Sequence, residues 1–292
     1  MTKLMRKKHQ EDEEPTKVTF GGIMATIFFT LVSIVFVSPI IIVLINSLKD
    51  KTYINLETFK LPTADSFVGF ENYKEAITQY DFIKAVGWTV LITVASVFVI
   101  LLCCSMAAWY ITRVQNVFTK IIYLLCVFSM VIPFQMVMFT LAGTADALHL
   151  NTPWGIIIVY LGFGAGLAVF MFCGFMKSIP LEVEEAAMID GCTPIQTFFK
   201  IVVPMLKPTY ISVAILEAMW IWNDFLLPYL VLDIKKYKTI SIVIQYMKGS
   251  YGRVDMGAIM ACLVMAIIPV VVFYLCAQKY IIKGVAAGAV KG

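Results

Sequence analysis

Charge is missing from five long stretches of this chain. Residues 20–48, 85–112, 121–145, 154–176 and 256–277 contain no Asp, Glu, Lys or Arg. Each is long enough to cross the hydrocarbon core of a bilayer, about 30 Å thick, which takes about 20 helical residues. A sixth apolar stretch, 209–232, carries two acids, Glu217 and Asp224. Only 14% of all residues are charged and the mean hydropathy is +0.86, against about 25% charged for a soluble domain. Such a chain cannot cover a water-facing surface. The expected architecture is an all-α integral membrane bundle of six transmembrane helices.

Six crossings place both termini on one side. Residues 1–19 form a polar tail that opens with Lys3, Arg6, Lys7 and Lys8 and turns acidic at 11–14. A basic cluster ahead of the first span favours a cytoplasmic N-terminus. The 20–48 stretch is too long for the core of a removable signal peptide and no small-x-small site follows it, so it is expected as the first transmembrane helix. Loop 49–84 is then extracytoplasmic, with a short interfacial helix around Asn72, Tyr73 and Ala76. A core of five helices over 85–283 follows, interrupted by a cytoplasmic loop at 177–208 and ending in a cytoplasmic tail at 284–292. This orientation puts thirteen of the 23 basic residues inside and ten outside. The outer 233–255 loop holds Lys235, Lys236, Lys238, Lys248 and Arg253 and argues against it, so the orientation rests on the N-terminal cluster and on the 177–208 loop. Segment 239–245 is apolar but too short to cross, and reads as interfacial or re-entrant.

Several chemistries are not expected. Basic residues are scattered, with no aromatic-interleaved patch for nucleic acid. Six of the seven cysteines fall within spans, where a thiol is a small apolar filler, and Cys192 lies in a loop. No paired spacing of the zinc type occurs, and His9 and His149 are the only histidines. No catalytic motif or phosphate-cradling G-x-x-x-x-G-K-[S/T] loop is present.

The most informative segment is 179–208, IPLEVEEAAMIDGCTPIQTFFKIVVPMLKP. Its residues predict a helix–turn–helix outside the membrane. Pro180 suits a first helical position, and Glu182, Glu184 and Glu185 favour the positive end of the helix dipole. Asp190-Gly191 supplies a turn, with glycine free to take a positive φ. Thr193 caps a second helix, Pro194 starts it, and Gln196 completes a capping box. Pro204 and Pro208 end it and lead into the fifth span.

This segment resembles the EAA loop of binding-protein-dependent ABC importer permeases: E-A-A, three residues, G, nine residues, I-x-L-P. Here Glu185-Ala186-Ala187 is followed after three residues by Gly191 and after nine more by Ile201-Val202-Val203-Pro204, with Val in place of the family Leu. Trp222-Asn223-Asp224-Phe225-Leu226-Leu227-Pro228 and the terminal Gly284-Val285-Ala286-Ala287-Gly288-Ala289-Val290-Lys291-Gly292 are similar to the carbohydrate-uptake branch, the maltose-type inner permease subunit. The resemblance implies a type I (MetI-like) permease bundle. It implies that the loop, with Glu184, Glu185, Ala186, Ala187, Asp190, Gly191, Ile201 and Pro204, docks into a cytoplasmic ABC ATPase dimer. The chain itself would bind no cofactor, ATP and Mg belonging to that ATPase. A second, homologous permease subunit and an extracytoplasmic solute-binding protein complete the expected assembly in the lipid bilayer.

Within the spans, Gly162 and Gly166 form a small-xxx-small pair suited to close helix packing. Pro39, Pro133, Pro228 and Pro269 kink their helices, which suits a transport path and is equally explained by plain helix bending. Glu217 and Asp224 are seven apart, hence on one helical face, with Trp220 between them. Intramembrane carboxylates usually face a bundle interior or a watery cavity. Gln135, Glu217, Trp220, Asn223 and Asp224 are therefore the candidate substrate path for a sugar or oligosaccharide, moved by alternating access. Solvation or capping of Asp224, and pairing of Glu217 with another helix, explain the acids as well. The absence of Arg from every span disfavours an anionic solute, though a polyol phosphate stays open. A polytopic membrane enzyme using the two acids is the remaining rival.

Overall fold

The computed structural model describes residues 19–247 and 254–289. The charge clusters of 1–18, together with Lys248, Arg253 and Val290 to Gly292, lie outside the described residues. Every regular element described is helical, joined by one isolated antiparallel bridge between Lys49 and Phe67.

Helix α1 (Phe20–Asn46) starts at Thr19, whose hydroxyl accepts from the Gly22 amide at 3.2 Å, and runs along the flank of the molecule with apolar side chains exposed all round. In lipid such exposure is expected of a span. Short α2 (Lys51–Leu56) and α3 (Glu71–Gln79) organise the following loop. Asn72 is the pin: its amide donates to the Ser47 and Lys49 carbonyls at 2.9 and 2.8 Å. Gly257 of the last helix comes so close to the Asn72 side chain that any Cβ there would collide with it.

The core is built on α4 (Phe82–Arg113) and α7 (Pro153–Met176), which bury Ile92, Ile100, Cys104 and Ala108 against Tyr160, Ala168, Phe172 and Cys173. Glycine positions decide the spacing. A Cβ at Gly164 would fall 2.7 Å from Ile100, and one at Gly166 would fall 2.8 Å from the Ser129 hydroxyl, whereas Gly162 has open space. The close-packing pair is therefore Gly164 and Gly166, not Gly162 and Gly166. They face different neighbours, so α7 is clasped from two sides.

Two apolar stretches expected as single spans are broken. Stretch 121–145 becomes α5 (Val117–Ser129) and α6 (Phe134–Ala147), bent by 107°. Pro133 denies an amide to the ladder and drives its predecessor out of the helical region. Stretch 209–232 is α10 (Lys207–Asn223) and α11 (Leu226–Val231), parted at Asp224 and Phe225. Four helices are long and apolar enough to cross on their own, and up to six spans result if two bent pairs, α5 with α6 and Pro194–Met205 with α10, each count as one. The loop at 177–208 holds α8 (Leu181–Ile189) and α9 (Pro194–Met205), and α9 meets α10 at 77°. A π turn over Phe198–Val202 precedes Pro204, whose ring would clash with the carbonyl four residues earlier in a regular helix. Segment 239–245 forms α12 (Ile240–Tyr246), buried on one side and tied to α4 by its first amide donating to Thr89 Oγ1 at 3.0 Å. The last helix, α13 (Met256–Ala289), runs on past Ala277 through most of the expected tail.

Candidate functional site

The helix–turn–helix of 179–208 folds by local rules. Pro180 is the N-cap of α8 rather than its first residue. Gly191 has φ +89°, its amide donates to Met188 O, and Cys192 N donates to Ala187 O, both at 3.0 Å. These are the paired bonds of a Schellman helix end. Thr193 and Gln196 form the expected reciprocal cap.

Tertiary contacts then sort the residues of the loop. Glu184 turns inward and is 2% exposed. Its Oε1 accepts from Arg113 Nε and Nη2 at 3.0 and 2.6 Å, and its Oε2 accepts from Trp109 Nε1 at 2.9 Å. Arg113 Nη2 also donates to the Ile179 carbonyl at 3.0 Å. The last turn of α4 thus holds the first turn of α8. Among the described residues this is the one ion pair that joins separate elements. Ala187 packs inward, while Glu185, Ala186, Asp190 and Gly191 face out, as does Pro204, and Ile201 is half-buried. Beside them Ile189 is 86% and Ile195 67% exposed. These lie outside the long apolar helices, so lipid does not account for them, and two large apolar side chains this exposed at one turn point to a contact site.

Sequence reading did not find Arg113 or Trp109. The signal available was an Arg at the end of an apolar helix and three acids at the start of the loop, with nothing to say which acid pairs.

The in-membrane candidates separate. Glu217 is 1% exposed and neither carboxylate oxygen has a hydrogen-bond partner. It fits because residue 164 is glycine: a Cβ there would lie 2.9 Å from Oε2. Trp220 is 40% exposed and sets its edge against the Tyr160 ring, centroids 5.5 Å apart. Asp224 lies beyond the end of α10 and caps α11, Oδ1 accepting from the Leu226 amide at 3.0 Å, while Oδ2 accepts from Tyr160 Oη at 3.2 Å. Tyr160, absent from the sequence-derived set, therefore joins Trp220 to Asp224. Asn223 is exposed and donates back to Met219 O at 2.7 Å. Gln135 is exposed near the start of α6, with no hydrogen bond to the others. The two acids do not form a pair. No group of three or more His, Cys, Asp or Glu arranged to hold a metal occurs among the described residues.

Comparison with known proteins gives consistent results. Residues 100–287 match the family described as binding-protein-dependent transport system inner membrane component. The chain is 38% identical to the probable starch degradation products transport system permease protein AmyC of Thermoanaerobacterium thermosulfurigenes, over 94% of this chain and 99% of that protein. It is 33% identical to the multiple sugar-binding transport system permease protein MsmG of Streptococcus mutans, over 91% and 95%. The fold is shared with a chain of a bacterial ABC transporter involved in import of the acidic polysaccharide alginate, with a TM-score of 0.76 at 20% identity, over 91% of this chain and 98% of that one. The enzyme rival falls with these matches. The chain is a multi-pass membrane protein and belongs to the family of inner-membrane permease components of binding-protein-dependent ABC importers.

Proposed function

We propose that this chain is one of two permease subunits of an importer for a neutral sugar or oligosaccharide, with its 177–208 loop in the cytoplasm against an ABC ATPase dimer. The observation that carries the docking role is the exposed apolar turn of α8 and α9, Ile189 and Ile195, mounted on α4 through Glu184 and Arg113. Motion imposed on α8 by a partner would pass directly into core helix α4. ATP and Mg would be bound by that partner, and a solute-binding protein would deliver the ligand on the opposite side.

The names of the relatives, which state starch degradation products and multiple sugars, support a carbohydrate. On this chain, the exposed indole of Trp220 with Tyr160, Asn223 and Asp224 supplies a flat apolar face and hydrogen-bonding groups of the kind a sugar ring needs. Glu217 stands behind that face, and Gln135 would join it from α6. The test is purification of the chain from its native membrane, followed by uptake in proteoliposomes with maltooligosaccharide and with a polyol phosphate. Co-purification of an ATPase and ATP-dependent uptake of the neutral sugar are expected. Uptake of the polyol phosphate alone would refute the substrate class, and purification without an ATPase would refute the coupling role.

A further inference from the structure

At the end of α4 remote from Arg113 lies a basic cavity that the transport role does not use. It measures about 60 Å³ and is lined by Lys84, Lys235, Lys236 and Lys238 together with Tyr80, Asp81 and Trp88. The lining itself holds four cations and one acid, Asp81, with Asp255 accepting from Tyr80 Oη at 3.4 Å beside it. Lys236 is engaged with Asp233 at 3.5 Å. Lys238 sits over the Tyr246 ring, 5.5 Å from its centroid. Lys84, Lys235 and Lys238 have no ion-pair partner among the described residues. A second observation is independent of the lysines. Trp88 Nε1, a donor, is buried without any acceptor, its ring held edge-on to Tyr237 at 5.1 Å between centroids. Three amines without an ion-pair partner around one opening, in a wall that also holds this indole, favour an anion that accepts hydrogen bonds.

Position on the helix identifies the source of that anion. Lys84 immediately precedes the charge-free stretch, and Trp88 is one turn further in on the same face. Lysine and tryptophan at the end of a span are the residues of the headgroup layer. Lys84 stands 29 residues before Arg113 on α4, which places this cavity about 44 Å from the Arg113 end, on the opposite face of the membrane from α8 and α9. We propose that the cavity binds the phosphate of an anionic phospholipid, with the amines of Lys84, Lys235 and Lys238 as donors and the Trp88 indole in the wall beside them. The site rests on α4 crossing the membrane and is independent of which solute is carried.

The experiment uses the full chain purified with its associated subunits and placed in nanodiscs of phosphatidylcholine containing a minor share of phosphatidylglycerol, with retained lipid read by native mass spectrometry. The wild type is expected to hold phosphatidylglycerol in preference. Each Lys→Gln change at 84, 235 or 238 should lower retention about fivefold, the weight of one basic residue at an anionic surface. Trp88→Phe should lower it as well, with thermal stability of the complex unchanged. Equal retention by the wild type and by the triple lysine variant would overturn the proposal. A second arm titrates inorganic phosphate into pure phosphatidylcholine discs. A change in tryptophan emission on adding millimolar phosphate that Trp88→Phe abolishes, with no preference for phosphatidylglycerol, would assign the site to a free anion and overturn the lipid source. Loss of solute-binding-protein affinity in the triple variant, with lipid retention intact, would assign the surface to protein docking instead.

Discussion

Replacing Arg113 by Gln tests whether α8 is held by α4. The guanidinium supplies two of the three donors on the Glu184 carboxylate, at 3.0 and 2.6 Å, and its side chain is 18% exposed against 3% for the acid. Removing one partner of a buried pair costs about 3–5 kcal/mol, because the other charge is left without compensation. The residual exposure of Arg113 argues for the lower end, about 3 kcal/mol, or about a hundredfold in the population of opened α8. Trp109→Phe removes one neutral donor at 2.9 Å and leaves the ion pair, so about 1.5 kcal/mol and roughly tenfold are expected. The two changes act on one carboxylate, and the double variant should fall short of their sum. Hydrogen exchange of the α8 amides in the purified complex reads the opening directly. Uptake should fall in the same order while the ATPase still co-purifies. Unchanged exchange in Arg113→Gln, or a larger effect from Trp109→Phe, would refute the argument.

Gly191→Val places a β-branched residue at φ +89° and should cost at least about 1–2 kcal/mol at the end of α8; Gly191→Asn should be milder. Because a Cβ there meets nothing within this chain, loss of uptake by membrane-inserted Gly191→Val would report the docked partner and the strained turn together, and normal uptake would remove this loop as the docking element. Cys192, a free thiol in that turn, should react with an impermeant maleimide only after the membrane is permeabilised; labelling in intact cells would invert the topology. Trp220→Ala and Asp224→Asn should alter uptake or sugar preference with the complex intact, measured by transport competition, while Glu217→Gln, which replaces the acid facing Gly164 by its isostere, should leave preference unchanged. Wild-type transport by both Trp220→Ala and Asp224→Asn would rule out that face as the path.

What the sequence disclosed and what it hid divide along the range of the forces involved. The turn of the 177–208 loop was legible because its determinants lie within four residues of one another: a hydroxyl three positions from its amide, a glycine where φ must be positive, a proline at a first turn. The Arg113–Glu184 contact spans 71 positions, and nothing local distinguishes Glu184 from Glu182 or Glu185. Helix breaks within lipid fell between these cases. The prolines were visible, but whether a proline bends a span or divides it depends on what re-satisfies the freed backbone. At Pro133 the chain turned by 107°. At the WNDFLLP segment a side chain did the work: Asp224 accepts the first amides of α11. That capping is why the seven-residue spacing of Glu217 and Asp224 misled. Spacing assigns two residues to one face only while the helix continues between them, and here α10 stops at Asn223. The acid past the break became a cap held by Tyr160, and the acid before it was turned against a glycine. Asp224 is thus accounted for by the backbone end that it caps, whereas Glu217 answers to no such end and its oxygens stay without a partner.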